Sequence, residues 1–147
     1  ITGRNWSSDV CSSDLLLQTA AETVIPLCRK HDVGTVVMMP LNQPSKESGL
    51  VSLAAAHECI RRHIAHGNLP AEPPYTDEDL FAFLEPFSIP EAGLRYVLTQ
   101  DISTCCNGVR SKERLAQNLS VVDPPYLDAA RLGRLRELFG RIQCQVR

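Results

Sequence analysis

The spacing of apolar residues predicts helices and strands in alternation along the chain. Apolar positions from Ala20 to Cys28 recur at helical spacing, and we expect Pro26 to bend this first helix. Residues 33–39 form an apolar run without alternation, which is typical of a parallel strand buried on both faces. A polar loop over residues 41–49 follows at the C-terminal end of this strand, where α/β sheets bind ligands.

A second series of elements is predicted after this loop. It begins with a helix over residues 50–66, a proline-rich connection over 69–76 and a short helix over 77–83. A helix over 89–99 starts at the capping box of Ser88 and Glu91 and is followed by a strand over 102–106. A helix with Ser111 as its N-cap and a final amphipathic helix over 132–142 complete the series. We expect Leu115, Leu119 and Val122 to form the inner edge of the penultimate helix. This order indicates an α/β fold with parallel strands, but two strands cannot bury their own faces, so further units of the core are expected elsewhere.

Composition excludes several functional classes. The 147 residues are 44% hydrophobic and 22% charged, with a net charge of −2, as in one ordinary soluble domain. The apolar runs are too short to span a membrane, and the balanced charge gives no reason to expect nucleic acid or a membrane as partner. Six cysteines in apolar surroundings fit reduced thiols better than a disulfide scaffold, so we expect a cytoplasmic protein.

Residues 1–15 differ from the rest of the chain. They contain Ser-Ser-Asp twice, lack helical or alternating periodicity, and have no apolar stretch that could serve as a secretion signal. Residues 5–15 resemble the translation of a common short-read sequencing adapter. We therefore expect residues 1–15 to be an assembly artefact in a disordered coil, with a genuine disordered tail as the alternative, and we assign no function to them.

The histidines and cysteines give little support for a metal site. Cys59, His63 and His66 share one predicted helical face, but no fourth ligand is evident and the neighbouring arginines favour a solvated surface helix, so we expect no metal. We expect Cys105 and Cys106 to be two small buried thiols, with a rare vicinal disulfide as the alternative. Phosphoryl and acyl transfer have no support, because the chain has neither a Gly-rich phosphate loop nor a Gly-x-Ser-x-Gly turn.

One polar constellation stands above this background. A short strand ends at Asn107 and Gly108 and is followed by a helix that carries Arg114, Gln117 and Asn118, spaced so that all three project from one face. Free amides at a helix start, with guanidinium groups nearby, are suited to bind phosphate. An ordinary polar helix face remains the alternative explanation of the same residues.

This stretch, together with residues 92–98, resembles the C-terminal region of the aldo-keto reductases. Gly108, Arg110, Leu115 and Asn118 match the family pattern Gly-x-Arg/Ser followed by a spaced Leu and Asn. Upstream, residues 25–41 resemble the penultimate helix-strand unit of the family, and residues 134–142 resemble the ending of a bacterial branch. The resemblance covers residues 16–142.

The resemblance implies a fold and a function. The family folds as a (β/α)8 TIM barrel of about 250 residues, so residues 16–147 would be the C-terminal portion of such a barrel, incomplete and limited to its last two or three βα units. Members reduce small carbonyl or sugar substrates with hydride from a nicotinamide dinucleotide, usually NADPH. Their catalytic tyrosine, lysine, aspartate and histidine come from earlier strands. We therefore expect no catalytic residue in this chain, which alone would be an inactive fragment of an NADP-dependent oxidoreductase.

What the resemblance carries over is a cofactor site. It implies that Gly108, Val109 and Arg110 lie by the 2′-phosphate, that Arg114 contacts this phosphate or stacks on adenine, that Gln117 and Asn118 bind the adenine ring, and that Pro40 and Leu41 flank the pyrophosphate. Met39 and residues 42–44 depart from the family pattern, which weakens the expectation for the pyrophosphate contacts. The alternative functions are a non-enzymatic binding or regulatory barrel relative, and a helical interaction module.

Overall fold

Strands alternate with helices along the described chain, with one strand, β1, that the sequence does not predict. The computed structural model describes residues 8–41, 49–109, 111–124 and 126–142. The elements are β1 (Ser8–Ser12), α1 (Thr19–Glu22), α2 (Val24–Lys30), β2 (Gly34–Met38), α3 (Leu53–Ala65), a 3-10 helix (Ala82–Leu84), α4 (Ile89–Leu98), β3 (Thr104–Cys106), α5 (Lys112–Leu119) and α6 (Ala129–Phe139). No helix within these ranges is both long and apolar enough to cross a membrane.

The three strands form one parallel sheet in the order β1-β2-β3. Val36 in the central strand pairs with Val10 on one side and with Thr104 on the other. Parallel neighbours need crossover connections, which here run through α1 and α2 and then through α3 and α4. As a consequence, the C-terminal ends of all three strands meet at one edge of the sheet.

The hydrophobic core joins the sheet to helices α1, α2, α3, α4 and α6. Its members at 0% exposure include Leu15, Val37, Ala56, Val97 and Leu135. Aromatic packing extends it, because the rings of Phe81 and Phe139 are stacked with their centroids 5.9 Å apart. Residues from α5 are missing from this core, since the helix contains no buried residue.

For residues 8–15, the structure corrects the prediction of a disordered coil. Residues 8–12 form β1, and the next four residues, from Ser13 to Leu16, are fully buried. The periodicity gave no signal because backbone pairing with β2 holds this strand, and such pairing does not require an alternating pattern. Residues 1–7 lie outside the described residues, and the adapter origin of this segment remains a hypothesis.

The first predicted helix and the following strand also differ from expectation. The helix breaks at Thr23 rather than at Pro26, because Pro26 lies in the first turn of α2, where a missing N–H is tolerated. Strand β2 buries only one face, since Thr35 and Val37 are buried whereas Met38 is exposed. The predicted burial on both faces is therefore wrong for the described residues.

Downstream, the predicted helices are present with altered ends and exposures. The predicted helix over 77–83 is replaced by turns and the short 3-10 helix. Helix α4 starts after Ser88 as predicted, but its serine makes no capping hydrogen bond, and Glu91 instead accepts from Arg95 at 3.1 Å. The prediction that Leu115, Leu119 and Val122 form the inner edge of α5 is wrong. These residues are 46%, 59% and 51% exposed, respectively.

Candidate functional site

A cleft of about 700 Å³ opens at the C-terminal ends of β2 and β3. Four of the predicted cofactor residues line it, namely Pro40, Leu41, Gly108 and Val109. We refer to it as the strand-end cleft. The structure thus brings together two segments that are more than 60 residues apart in sequence, because adjacent parallel strands end at the same edge of the sheet.

The turn after β2 is held in place by the packing of Leu41. Its carbonyl oxygen accepts a hydrogen bond of 2.7 Å from the backbone N–H of Leu50, and its side chain is 3% exposed. A Cβ at Gly93 of α4 would lie only 2.8 Å from Leu41 Cδ2. The lack of a side chain at Gly93 therefore lets Leu41 seat against α4, which positions Pro40 at the strand-end cleft.

A second cleft, of about 420 Å³, lies between the start of α4 and the outer face of α5. Arg114, Gln117 and Asn118 line it, as their helical spacing predicts. We refer to it as the helix cleft. The opposite side of the cleft is formed by the start of α4 and its N-cap, which contribute Ser88, Pro90, Glu91 and Leu94. Val51, just before α3, and Ser120, just after α5, complete the lining.

Sequence reasoning missed the opposite wall of the helix cleft. Glu91 and Leu94 are three residues apart on α4, which could have indicated a shared helix face. Only the tertiary structure, however, shows that this face lies opposite α5. Glu91 is neutralised there by its ion pair with Arg95, whose Nη2 lies 3.1 Å from the carboxylate.

Two polar side chains that line the helix cleft lack a partner among the described residues. Asn118 Nδ2 is buried without a hydrogen-bond partner in the described part of the chain, which is unfavourable unless a bound group accepts from it. Arg114 is exposed and makes no ion pair with any described residue. The cleft thus offers an amide donor and a free guanidinium beside the apolar surface of Val51 and Leu94.

The start of α5 is already largely capped by its own side chains. Ser111 Oγ accepts from the backbone N–H of Arg114 at 3.2 Å, which confirms Ser111 as the N-cap. The Glu113 carboxylate accepts from its own backbone N–H and from Ser111, and these bonds lower the pKa of Glu113. Contrary to the predicted free amides, an anion at this helix start would depend mainly on guanidinium groups. Arg110, the other predicted guanidinium, lies outside the described residues.

Cys59 and His63 of α3 face the protein interior, whereas His66, just after the helix, is exposed. His63 is 2% exposed and Cys59 is 6% exposed, so the expectation of a solvated helix face is wrong at these positions. Burial lowers the pKa of His63, whose Nδ1 lies 3.4 Å from Asn68 Nδ2. Among the residues described, no group of three histidine, cysteine or acidic side chains is arranged to hold a metal ion.

The two adjacent cysteines of β3 differ in environment. Both are free thiols, as are Cys28 and Cys59. Burial, and to a lesser extent the neighbouring Cys106, raises the pKa of Cys105 to about 11. Cys106 is exposed, which corrects the prediction that both thiols are buried. Both residues line the strand-end cleft.

The fold is similar to part of two solved aldo-keto reductase structures. The chain superposes on the aldo-keto reductase AKR11C1 from Bacillus halodurans in its holo form with a TM-score of 0.57 and 22% identity, covering 92% of this chain and 43% of that one. For the apo form the TM-score is 0.58 at 21% identity, with 92% and 44% covered. The chain thus spans less than half the length of these structures. Neither a protein-family model nor a curated protein matches it.

Proposed function

We propose that this chain is part of an NADP(H)-dependent aldo-keto reductase and holds the adenosine end of the dinucleotide. The observation that carries the proposal is the convergence of Arg114, Gln117 and Asn118 on one cleft. The amide nitrogen of Asn118 has no hydrogen-bond partner among the described residues. The likeness of the fold to aldo-keto reductase structures supports it. A volume of about 420 Å³ also lies within the usual range of small-ligand sites.

In this proposal each polar group of the helix cleft has a separate role. The Arg114 guanidinium pairs with the 2′-phosphate or stacks on the adenine ring, for which its planar shape is suited. Asn118 Nδ2 donates to a ring nitrogen of adenine, which removes the unfavourable burial of an unpartnered amide. Gln117 contributes a further amide at the edge of the same ring. Val51 and Leu94 provide the apolar surface that covers the base.

The rest of the dinucleotide extends towards the strand-end cleft. Val109 lies three residues after the end of β3 and five residues before Arg114, so residues of the two clefts are close together along the chain. Gly108, Val109 and Arg110 lie by the 2′-phosphate in this proposal, and Pro40 and Leu41 flank the pyrophosphate. When bound, the nicotinamide supplies a hydride to a small carbonyl or sugar substrate. We assign no catalytic residue to this chain, and we expect it to be inactive alone.

The test is binding of 2′,5′-ADP, which represents the adenosine end of NADP. We expect Arg114→Ala to weaken this binding by about 1–3 kcal/mol, the range for hydrogen bonds to charged groups. Isothermal titration calorimetry on the 147-residue chain and its variants measures the change. The matched control is Arg134→Ala, which removes an arginine that pairs with Glu137 on α6, away from both clefts.

The outcomes separate a specific site from general attraction of anions. Equal weakening by Arg134→Ala would show that only overall charge matters. An unchanged affinity in Arg114→Ala would contradict the assignment of the helix cleft. Competition with 5′-ADP, which lacks the 2′-phosphate, shows whether Arg114 acts on that phosphate or on the adenine ring.

A further inference from the structure

The strand-end cleft is rich in sulfur. Met38, Met39, Cys105 and Cys106 all line it, and its described lining contains no histidine or carboxylate. Met38 and Cys106 are register partners on neighbouring parallel strands, so their side chains lie side by side on the same face of the sheet. Met38 is 39% exposed and Cys106 is an exposed free thiol. Nothing in the proposed dinucleotide site uses these two sulfur atoms.

We propose that Cys106 and Met38 form a binding site for a soft monovalent cation of the Cu(I) or Ag(I) class. Thiolate and thioether ligands select such ions, whereas a structural zinc site requires four ligands. Register partners on neighbouring strands have backbones about 4.8 Å apart, so side chains on the same face of the sheet can reach one ion above it.

The surrounding residues restrict the site to these two ligands and a third candidate. The side chain of Cys105 belongs to the opposite face of β3 from that of Cys106, because successive side chains in a strand alternate. Met39 has a positive φ of 52°, which turns the chain away from the direction of β2 at the edge of the same cleft. Met39 follows Met38 directly and is the other methionine of the described lining.

Binding has a defined proton balance. The Cys106 thiol loses its proton as the sulfur-metal bond forms, and the Met38 thioether donates a lone pair without proton release. One proton therefore leaves for each ion bound, and no oxidant or reductant is needed.

The experiment titrates the reduced 147-residue chain with Cu(I), without oxygen, against a chromophoric Cu(I) chelator. Loss of a group that merely supports a metal ligand costs about 10- to 100-fold in affinity, so we expect Cys106→Ser and Met38→Leu each to weaken binding at least tenfold. The control Cys28→Ser removes a buried thiol on α2 and should leave the affinity unchanged.

Two results would overturn the site. If Met38→Leu binds as tightly as the parent chain, Cys106 acts as an isolated thiol. If Cys106→Ser binds Cu(I) as tightly as the parent chain, the ion is held by another cysteine. The methyl NMR signal of Met38 on addition of Ag(I) tests the site without a variant. We expect this signal to shift at one equivalent of Ag(I). A signal that stays fixed while Ag(I) binds would exclude the Met38 thioether as a ligand.

Discussion

At the scale of single residues, Asp14 is an ionisable group in an apolar setting. Its side chain is fully buried, and one oxygen, Oδ1, accepts from the backbone N–H groups of Leu16 and Leu17 at 2.8 and 2.9 Å. The other oxygen, Oδ2, has no partner among the described residues. Burial outweighs the two backbone hydrogen bonds and raises the pKa of Asp14 from 3.8 to about 6.

This pKa predicts that Asp14→Asn stabilises the protein at neutral pH. The folded state holds the Asp14 proton more tightly than the unfolded chain does, so this group's contribution to stability declines as pH rises from about 4 to about 6. The shift corresponds to about 3 kcal/mol. Asparagine keeps the accepting oxygen without the charge. We expect the variant to gain up to about 3 kcal/mol at pH 7 and to match the parent near pH 4.

Urea denaturation of parent and variant across this pH range measures the difference. The pH dependence of the parent alone is not sufficient, because His63 changes the stability in the opposite direction. Burial lowers the pKa of His63, so its contribution to stability is lost as pH falls. Asp79→Asn, at an exposed position, is the control and should show little change. A difference between Asp14→Asn and the parent that is independent of pH would contradict the ionisation of Asp14 as its cause.

At the scale of elements, α5 and α6 differ in how they are held. Leu135 of α6 is fully buried, whereas Leu119 of α5 is 59% exposed. Truncating a buried leucine removes apolar contacts and leaves a cavity, while an exposed leucine loses little. We expect Leu135→Ala to lower the free energy of unfolding by about 2–5 kcal/mol, and Leu119→Ala to change it by less than about 0.5 kcal/mol.

Chemical denaturation of the two variants tests this contrast directly. Both substitutions remove the same atoms from a helix, so differences in helix propensity cancel. If Leu119→Ala were as destabilising as Leu135→Ala, the exposed apolar row of α5 would have to be covered in solution. The same row is a natural contact surface for the further barrel units that the proposed function requires.

At the scale of the whole molecule, the chain spans less than half the length of the two aldo-keto reductase structures that it resembles. We propose that residues 16–147 derive from a longer barrel and that residues 1–15 are foreign to it. Sequencing the source locus tests both statements. We expect the native reading frame to encode, upstream of Leu16, an aspartate followed about five residues later by a tyrosine, and then a lysine and a histidine at later strand ends.

The alternative readings make different predictions for the same locus. A parent gene without the tyrosine and lysine would indicate a non-enzymatic barrel relative, even if 2′,5′-ADP binds. Reads that span codons 5–15 with matching protein-coding sequence upstream would contradict the adapter origin. In that case β1 would be a native strand of the sheet.

Sequence patterns determined the features that depend on local periodicity and short motifs. The helical spacing of Arg114, Gln117 and Asn118 placed them on one face, Ser111 was identified as an N-cap, and the apolar run of β2 identified a parallel strand. The sequence resemblance also indicated the fold to which the structure is similar. The helix face, the N-cap and the strand are each encoded within a short segment, whereas the resemblance draws on motifs spread over residues 16–142.

Only the tertiary structure decided features that depend on residues distant in sequence. Backbone pairing with β2 made a strand of residues 8–12, because hydrogen bonds between main chains do not depend on side-chain pattern. Packing determined that His63 is buried and that Leu119 is exposed, although both lie on amphipathic helices. Register placed Met38 beside Cys106. Such pairings have no local signal, since they arise only when strands and helices from separate segments meet.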